Sequence, residues 1–202
     1  MNPGEMEMAL FHAINGAAGH NRLLDPLARI FVGDYFVPVV LALSLLALWF
    51  AAKTSILRER QQRAVFAGAI AVALANVFVM LLNDTEWALR PRPFDIDPHA
   101  ATSAIALFYA PPDPSFPSNS MAVGFALATS VIRVNRQFGI SMGVIAVLMG
   151  ASRVYAGVHF PADIIAGAGI GILASLVALA LLRLLEPLPS GVLRMARRVY
   201  LA

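Results

Sequence analysis

Ser152-Arg-Val-Tyr-Ala-Gly-Val-His-Phe-Pro-Ala-Asp163 connects two strongly apolar segments. It places Arg153, His159 and Asp163 at the ends of those segments, where a bilayer makes ionisable side chains costly. A histidine can attack phosphorus, an arginine can bind phosphate oxygens, and an aspartate can orient an imidazole ring. The stretch therefore predicts a polar, chemically active site at the edge of a membrane bundle.

The composition is that of a membrane protein. Of 202 residues, 59% are hydrophobic and 13% are charged, whereas about a quarter of the residues of a soluble domain are charged. Cysteine is absent, which excludes a disulfide framework and a cysteine metal site. We expect one all-α domain over residues 1–202, embedded in the lipid bilayer, with no metal, no other cofactor and no nucleic-acid partner. The composition carries no signal for an oligomeric state.

Five apolar segments approach the roughly 20 residues that a helix needs to cross a bilayer. We predict transmembrane helices at 35–52, 64–82, 118–132, 138–151 and 164–182. A basic loop, 53–63, follows the first helix, and a long polar segment, 83–117, follows the second. The chain is therefore expected to fold as a polytopic helical bundle.

Other segments are assigned by their polarity. Asn76 interrupts the second helix and is expected to hydrogen-bond another helix, and the glycines within 167–171 are expected to allow close packing. Residues 1–34 lack a long apolar run and are predicted to form interfacial helices. They either admit or anchor the substrate or pack against the bundle, and we favour packing. Residues 184–202 are predicted to form a basic tail on anionic lipid.

Charge orients the bundle. One side carries ten basic residues against two acidic ones, Glu59 and Glu186. The basic residues are Lys53, Arg58, Arg60, Arg63, Arg133, Arg136, Arg183, Arg194, Arg197 and Arg198. Positively charged loops face the cytoplasm, so we expect a multi-pass protein of the cell membrane with a cytoplasmic C-terminus. The segments 83–117 and 152–163 then share the extracytoplasmic face, which is where the active site is expected.

Phe116-Pro-Ser-Asn-Ser120 is the second polar cluster on that face, at the start of the third helix. Ser118 is a good N-cap, and the first backbone N–H groups of a helix lack internal partners. Together with the helix dipole, these groups and the hydroxyl form an anion site near Asn119 and Ser120. Taken alone, the cluster is equally explained by an ordinary capping serine.

Arg90-Pro-Arg92-Pro is the remaining cluster. The prolines keep the chain extended, and the arginines carry a permanent charge with a fork of donors that matches phosphate oxygens. Binding of lipid headgroups at the interface is the alternative explanation for this cluster.

His159 and Asp163 are four residues apart, so one turn of helix brings the carboxylate next to the imidazole. Gly157 permits a turn before the histidine. A histidine whose second nitrogen is held by a carboxylate is oriented as a nucleophile or a base. An isolated histidine is usually structural, and we interpret His12 and His20 in that way.

The ordered set resembles the type-2 phosphatidic acid phosphatase superfamily, whose motifs are Lys-x6-Arg-Pro, Pro-Ser-Gly-His and Ser-Arg-x5-His-x3-Asp. Arg92-Pro93 matches the end of the first motif, Pro117-Ser118 the start of the second, and Ser152 to Asp163 all of the third. The resemblance covers roughly residues 60–182 and is greatest to bacterial undecaprenyl-diphosphate phosphatases. It implies the helical core shared with vanadium haloperoxidases and bacterial acid phosphatases.

Two positions depart from the family pattern. Thr85 stands where the family has lysine, and Ser120 stands where it has the histidine that protonates the leaving oxygen. A serine hydroxyl is too weak an acid for that role. A diphosphate needs no such acid, because the second pKa of its phosphate leaving group is about 6. We therefore predict a preference for diphosphates, with Arg90 as a replacement for the lysine charge and His99 as an alternative proton source.

The resemblance implies a metal-independent phosphatase for a membrane lipid phosphate, most similar to enzymes of undecaprenyl diphosphate. His159 is expected to form a phosphohistidine, Asp163 to hold its ring, and Arg153 to stabilise the transferred phosphoryl group. Substrate binding is assigned to Arg92, Ser118, Asn119 and Ser120, together with Arg90 and Thr85. The alternatives are a phosphatase or phosphotransferase for other lipid phosphates, such as those of glycerophospholipids or sugar lipids, and a degenerate member that binds lipid phosphate without turnover.

Overall fold

The computed structural model describes residues 2–85, 89–107, 111 and 113–198, and within them it contains ten α-helices and no β-strand. The helices are α1 (Pro3–Asn15), α2 (Leu24–Val32), α3 (Phe36–Phe50), α4 (Ser55–Asn83), α5 (Pro93–Ile96), α6 (Pro98–Leu107), α7 (Asn119–Ile132), α8 (Arg136–Tyr155), α9 (Pro161–Leu184) and α10 (Leu188–Arg198). The predicted all-α class is confirmed.

Helices lie at all five predicted transmembrane segments, but they differ in length. Three of the described helices, α4, α8 and α9, are long and apolar enough to cross a membrane. α2 and α3 together also qualify as one span, bent by 60° at the break between them. α7 has 14 residues, and at 1.5 Å per residue it is about 21 Å long, shorter than the roughly 30 Å of a hydrocarbon core. The multi-pass architecture is confirmed, with three full spans or four if the bent pair counts as one.

The predicted loop 53–63 is helical from Ser55 onwards. Thr54 caps α4, because its hydroxyl accepts the backbone N–H of Leu57 at 3.3 Å. Glu59 and Arg63, four residues apart, form an ion pair along this first part of the helix. The low hydropathy of residues 55–63 shows where the apolar segment begins, whereas the helix itself already begins at Ser55.

α7 lies at the centre of the bundle, packed against α4, α8 and α9. Its Met121, Leu127 and Val131 belong to a buried apolar cluster with Leu41 of α3 and Met142 of α8. The start of α7 lies beside the start of α9, and α7 also packs against α8. This packing therefore fixes the position of the start of α7 relative to both neighbouring helices.

Glycines bring α9 unusually close to α7. A Cβ at Gly167 would lie 2.2 Å from the carbonyl oxygen of Ser118, and one at Gly171 would lie 2.2 Å from that of Ala122. Gly169, on the other face, has open space around it. The close packing predicted for 167–171 is therefore confirmed for the two outer glycines.

α1 covers the end of the bundle where α8 stops and α9 starts. Phe11 is fully buried and packs against Phe160, with ring centroids 5.4 Å apart. The buried Asn15 amide donates to the carbonyl oxygen of Tyr155 at 2.7 Å. α1 thus packs on the bundle, as favoured from the sequence, whereas α2 continues into the bent pair with α3.

α10 folds back against α4 at the opposite end. Arg63 forms an ion pair with Glu186, just before α10, and Arg197 donates to Gln62 at 3.3 Å. The predicted basic tail is therefore attached to the bundle over residues 188–198, and its last residues, 199–202, lie outside the described part of the chain.

Candidate active site

The turn between α8 and α9 is built around Gly157. This residue has φ +78°, and a Cβ there would lie 2.9 Å from the backbone oxygen of Ala100. A side chain would be strained by its φ and would clash with α6. The turn folds back so that the N–H groups of Val158 and His159 both reach the carbonyl oxygen of Arg153, at 2.9 and 3.4 Å. Arg153 and His159 therefore face the same space.

His159 is buried, with 2% of its surface exposed. Its Nδ1 lies 2.9 Å from the carbonyl oxygen of Ser115, which can only accept, so Nδ1 carries the proton. Nε2 then carries the lone pair. It lies 3.2 Å from a guanidinium nitrogen of Arg92 and 3.3 Å from one of Arg153. This nitrogen is thus placed between two positive charges.

Asp163 supports the histidine less directly than the spacing predicted. Its carboxylate lies 3.6 Å from Nδ1 of His159, beyond ordinary hydrogen-bond distance. The same carboxylate accepts from the Ser115 hydroxyl at 2.6 Å, the Phe160 N–H at 2.8 Å and Arg90 at 3.0 Å. Ser115 therefore contacts both partners, its carbonyl holding the ring and its hydroxyl holding the carboxylate.

Burial controls the protonation of the site. It lowers the pKa of His159 to about 4, with the two neighbouring guanidinium groups acting in the same direction and Asp163 opposing them. Burial also lowers the pKa of Arg92, as does the charge of Arg153, against the opposing effect of Asp113. At neutral pH the imidazole is uncharged and its Nε2 is available for attack.

A polar cavity of about 160 Å³ is bordered by His159. Its lining consists of Asp34, Arg92, Pro111, Asp113, Asn119, Ser120, Arg153 and His159. Each arginine is paired with a carboxylate: Arg92 with Asp113 at 3.0 Å, and Arg153 with Asp34. An anion that enters the cavity would exchange places with these carboxylates.

The start of α7 forms one wall of the cavity. Ser118 occupies the N-cap position, but its hydroxyl makes no capping bond; it is buried and has no hydrogen-bond partner among the described residues. Its N–H donates to the Asp163 carbonyl oxygen at 3.1 Å, which ties α7 to α9. Asn119 and Ser120 line the cavity, and the Asn119 amide donates to Asn76 at 3.0 Å. The predicted interhelical bond of Asn76 is thereby confirmed.

Five sequence-predicted candidates lie outside the cavity lining: Ser118 and Asp163, whose contacts are given above, and Arg90, Thr85 and His99. Arg90 turns away from it towards Asp163 and Glu7. The Thr85 hydroxyl donates to the backbone oxygen of Leu82 at 2.6 Å, one turn back at the end of α4. His99 lies 3.2 Å from the backbone oxygen of Asn15 and stacks on His20. The positions of these residues give no support to the roles of Arg90 and Thr85 as phosphate ligands or of His99 as a proton donor.

Sequence reasoning missed four polar residues of the site: Glu7, Asp34, Asp113 and Ser115. Asp34 is the last polar residue before an apolar helix, a position that resembles the functional acids found at helix ends. Asp113 and Ser115 lie in the proline-rich segment just before α7, where turn chemistry explains such residues equally well. Among the described residues, no group of three or more histidine or acidic side chains is placed to bind a metal ion.

The chain is similar in sequence to two curated bacterial proteins. The chain is 28% identical over 197 residues to the undecaprenyl-diphosphatase BcrC of Bacillus subtilis, which covers 94% of this chain and 91% of that one. It is also 28% identical over 177 residues to the bacitracin transport permease protein BcrC of Bacillus licheniformis, covering 87% and 80% of the two chains.

Two crystal structures share the fold. Aquifex aeolicus LpxE matches with a TM-score of 0.60 and 26% identity, covering 87% of this chain and 95% of that one. A PAP2-type phosphatidylglycerolphosphate phosphatase of Bacillus subtilis matches with a TM-score of 0.58 and 21% identity, covering 93% and 90%, and this likeness concerns the fold alone.

The family model of the PAP2 superfamily matches residues 63–185, which include every residue of the cavity lining given above except Asp34. The matched range is more than half of the chain. Together with the undecaprenyl-diphosphatase relative, it identifies the protein as a hydrolase of phosphate esters or anhydrides. The chain belongs to the PAP2 superfamily of membrane lipid phosphatases.

Proposed function

We propose that this protein hydrolyses an isoprenoid diphosphate, in particular undecaprenyl diphosphate, through a phosphohistidine at His159. The observation that carries the proposal is Nε2 of His159, unprotonated and 3.2 to 3.3 Å from the guanidinium groups of Arg92 and Arg153. A phosphoryl group bound by these arginines places its phosphorus within reach of the nitrogen lone pair. The relative named an undecaprenyl-diphosphatase supports the same substrate class.

Binding begins with an exchange of anions. The terminal phosphate displaces Asp34 from Arg153 and Asp113 from Arg92, so each guanidinium keeps one negative partner. The buried Ser118 hydroxyl has no partner among the described residues and directly precedes the lining residues Asn119 and Ser120, so we assign it as the donor to a third phosphate oxygen. These fixed donors stabilise the equatorial oxygens during transfer, the largest contribution to phosphoryl-transfer catalysis.

Transfer occurs in two steps. In the first, the Nε2 lone pair attacks phosphorus, the bond to the bridging oxygen breaks, and the lipid monophosphate leaves with that oxygen and its electrons. The proton stays on Nδ1, which continues to donate to the Ser115 carbonyl oxygen, and the nearby Asp163 carboxylate stabilises the positive ring. In the second step, water attacks the phosphorus, the nitrogen–phosphorus bond breaks, and inorganic phosphate forms while the imidazole becomes neutral again.

The chemistry of the leaving group favours a diphosphate substrate. Ser120 lines the cavity where an acid would protonate the leaving oxygen, and a hydroxyl is too weak an acid for that role. A lipid monophosphate leaving group has a second pKa of about 6 and departs without protonation. Hydrolysis of a lipid monophosphate would instead expel an alkoxide.

The cavity is proposed to open on the extracytoplasmic face. The basic residues gather at the opposite end of α4, α7 and α9, and positively charged ends face the cytoplasm. The C-terminal α10 then lies on the cytoplasmic side. The substrate would reach the arginines with its headgroup at the outer membrane surface and its isoprenoid chain in the bilayer.

Purified protein in detergent tests the proposal. Phosphate release from undecaprenyl diphosphate should be abolished in His159→Ala and retained in His99→Ala, a control histidine outside the cavity lining. Undecaprenyl monophosphate, assayed alongside, should react at least about a hundredfold more slowly, since general acid catalysis contributes about 10²–10⁴-fold. Equal release by His159→Ala and wild type ends the proposal, and a preference for the monophosphate ends the diphosphate assignment.

A trapping experiment addresses the intermediate. Acid-labile, base-stable phosphate attached to the protein after rapid mixing with substrate is expected for wild type and not for His159→Asn. Formation of the same adduct in His159→Asn would place the nucleophile elsewhere.

A further inference from the structure

Arg90 is held between two carboxylates from different helices. One of its terminal nitrogens donates to Asp163 of α9 at 3.0 Å, and the other donates to Glu7 of α1 at 2.6 Å. Its guanidinium also lies over the Phe160 ring, 4.0 Å from the centroid. The side chains of Arg90 and Glu7 are 28% and 19% exposed, so the pair is largely shielded from water. The position of Glu7 is thereby linked to that of Asp163.

Glu7 also holds the start of α9. Its second carboxylate oxygen accepts the N–H of Ala162 at 3.2 Å. That N–H lies in the first turn of α9, where backbone donors have no partner within the helix and a negative charge is favourable. Asp163 is the next residue. One carboxylate from α1 therefore contacts both the backbone beside Asp163 and the arginine that binds its side chain.

The rest of α1 fixes Glu7 in place. Phe11, one turn further along, is fully buried against Phe160. Asn15, at the end of α1, is bonded to the Tyr155 carbonyl oxygen. Moving α1 away from Arg90 would break these contacts, so they hold in place the helix that carries Glu7.

We propose that Glu7 is a positioning residue, which acts through Arg90 to hold Asp163 in place, 3.6 Å from Nδ1 of His159. The inference rests on the proposed function, since it assumes that His159 attacks phosphorus and that Asp163 stabilises its ring. Glu7 lies outside the matched family range 63–185, and neither Glu7 nor Arg90 lines the cavity. Loss of Glu7 should leave substrate binding intact and slow the chemical step.

Glu7→Gln is the first test, because it removes the charge while keeping an oxygen for the Ala162 N–H. We expect kcat to fall about tenfold or more with KM little changed, since displacement of a catalytic group by about 1 Å can cost about a hundredfold. Glu5→Gln is the matched control: it removes one charge from the same helix, and glutamine preserves the capping box with Asn2. Its kcat should equal that of wild type.

A double-variant cycle identifies the route of the effect. If Glu7 acts through Arg90, Glu7→Gln combined with Arg90→Gln should have the kcat of Arg90→Gln alone, because the contact is already lost. Multiplication of the two losses would overturn the proposal. Arg90→Lys provides a milder variant, which keeps the charge but not the fork that spans two carboxylates. A wild-type kcat in Arg90→Lys would also overturn it.

Failure of this inference is distinguishable from failure of the proposed function. If Glu7→Gln keeps the wild-type kcat while His159→Ala is inactive, the positioning role is refuted and the nucleophile stands. If His159→Ala is as active as wild type, the proposed function itself is refuted. Thermal unfolding of each variant in detergent identifies losses of kcat that come from unfolding, and a rise in KM equal to the loss of kcat/KM would refute the positioning role.

Discussion

Gly167→Ala tests whether the close approach of α7 and α9 sets the geometry of the cavity. The added Cβ would lie 2.2 Å from the carbonyl oxygen of Ser118, and contacts below 3.0 Å essentially never occur. The obstacle is backbone, so no side-chain rotation can relieve it. The helices must separate locally by about 0.8 Å, the difference between those two distances.

The magnitude follows from two opposing effects. Replacing glycine by alanine within a helix favours folding by about 1 kcal/mol, whereas overpacking a tight interface costs about 1–3 kcal/mol. Because the clash at Gly167 involves a carbonyl group, we expect the upper end of that cost and a net destabilisation of about 2 kcal/mol. Activity should fall further, about tenfold or more, because Ser118 moves with the strained backbone and the next two residues, Asn119 and Ser120, line the cavity.

Two matched variants share the chemistry of the substitution. Gly169→Ala meets open space, so it should unfold at the same temperature as wild type or slightly higher and keep full activity. Gly171→Ala meets the Ala122 carbonyl oxygen at the same 2.2 Å, one turn further from the cavity. It should be destabilised like Gly167→Ala but lose less activity.

Thermal unfolding and steady-state phosphate release, measured in one detergent, check this series. Equal stability of Gly167→Ala and Gly169→Ala would refute the packing argument. Equal activity losses in Gly167→Ala and Gly171→Ala would refute the argument that packing of α9 sets the position of the cavity-lining residues at the start of α7.

Three further predictions concern the cavity. In a plot of kcat/KM against pH, activity should fall on the acid side with an apparent pKa near 4, because His159 must be unprotonated to react. Arg153→Gln should move this acid-side fall to higher pH, since the neighbouring cation lowers the pKa of His159. Ser115→Ala removes a 2.6 Å hydrogen bond to Asp163, and at about 1.5–3 kcal/mol for a charged partner it should lower kcat about 10–100-fold with KM unchanged. Asp34→Asn removes the carboxylate that competes for Arg153, so inorganic phosphate should inhibit about two- to fivefold more tightly, as measured by its inhibition constant; weaker inhibition would contradict the exchange of anions.

The helices were predictable because hydropathy is a local property. Runs of apolar residues located all five hydrophobic helices, including the central α7. Their ends were less well predicted, because hydropathy reports the membrane and not the hydrogen bonding of the backbone. α4 therefore begins at Ser55, within the predicted basic loop, and α2 joins α3 through a bend that no periodicity signals.

The juxtaposition of Arg153, His159 and Asp163 was predictable for a similar reason. His159 and Asp163 lie four residues apart, and Arg153 lies just before them, so a local spacing contains most of the geometry. Partners distant in sequence were not predictable. Glu7 and Asp34 reach the site from α1 and from the α2–α3 turn, and no local pattern links either residue to Arg90 or Arg153. The contacts of Arg90 were unpredictable for the same reason, since it lies close to Arg92 in sequence but its partners lie across the fold.

Charge balance connects the cavity to the choice of substrate. Two buried guanidinium groups without negative partners would be costly, and Asp34 and Asp113 supply those partners while the imidazole stays neutral. A terminal phosphate can replace both carboxylates without changing the charge of the buried site. The additional negative charge of a diphosphate then lies on the leaving group, towards the open side of the cavity, where water can solvate it. Hydrolysis of a lipid monophosphate would instead develop alkoxide charge on an apolar chain, beside Ser120. The barrier to this hydrolysis depends on a proton for the alkoxide, and the described cavity lining contains no acid that donates it.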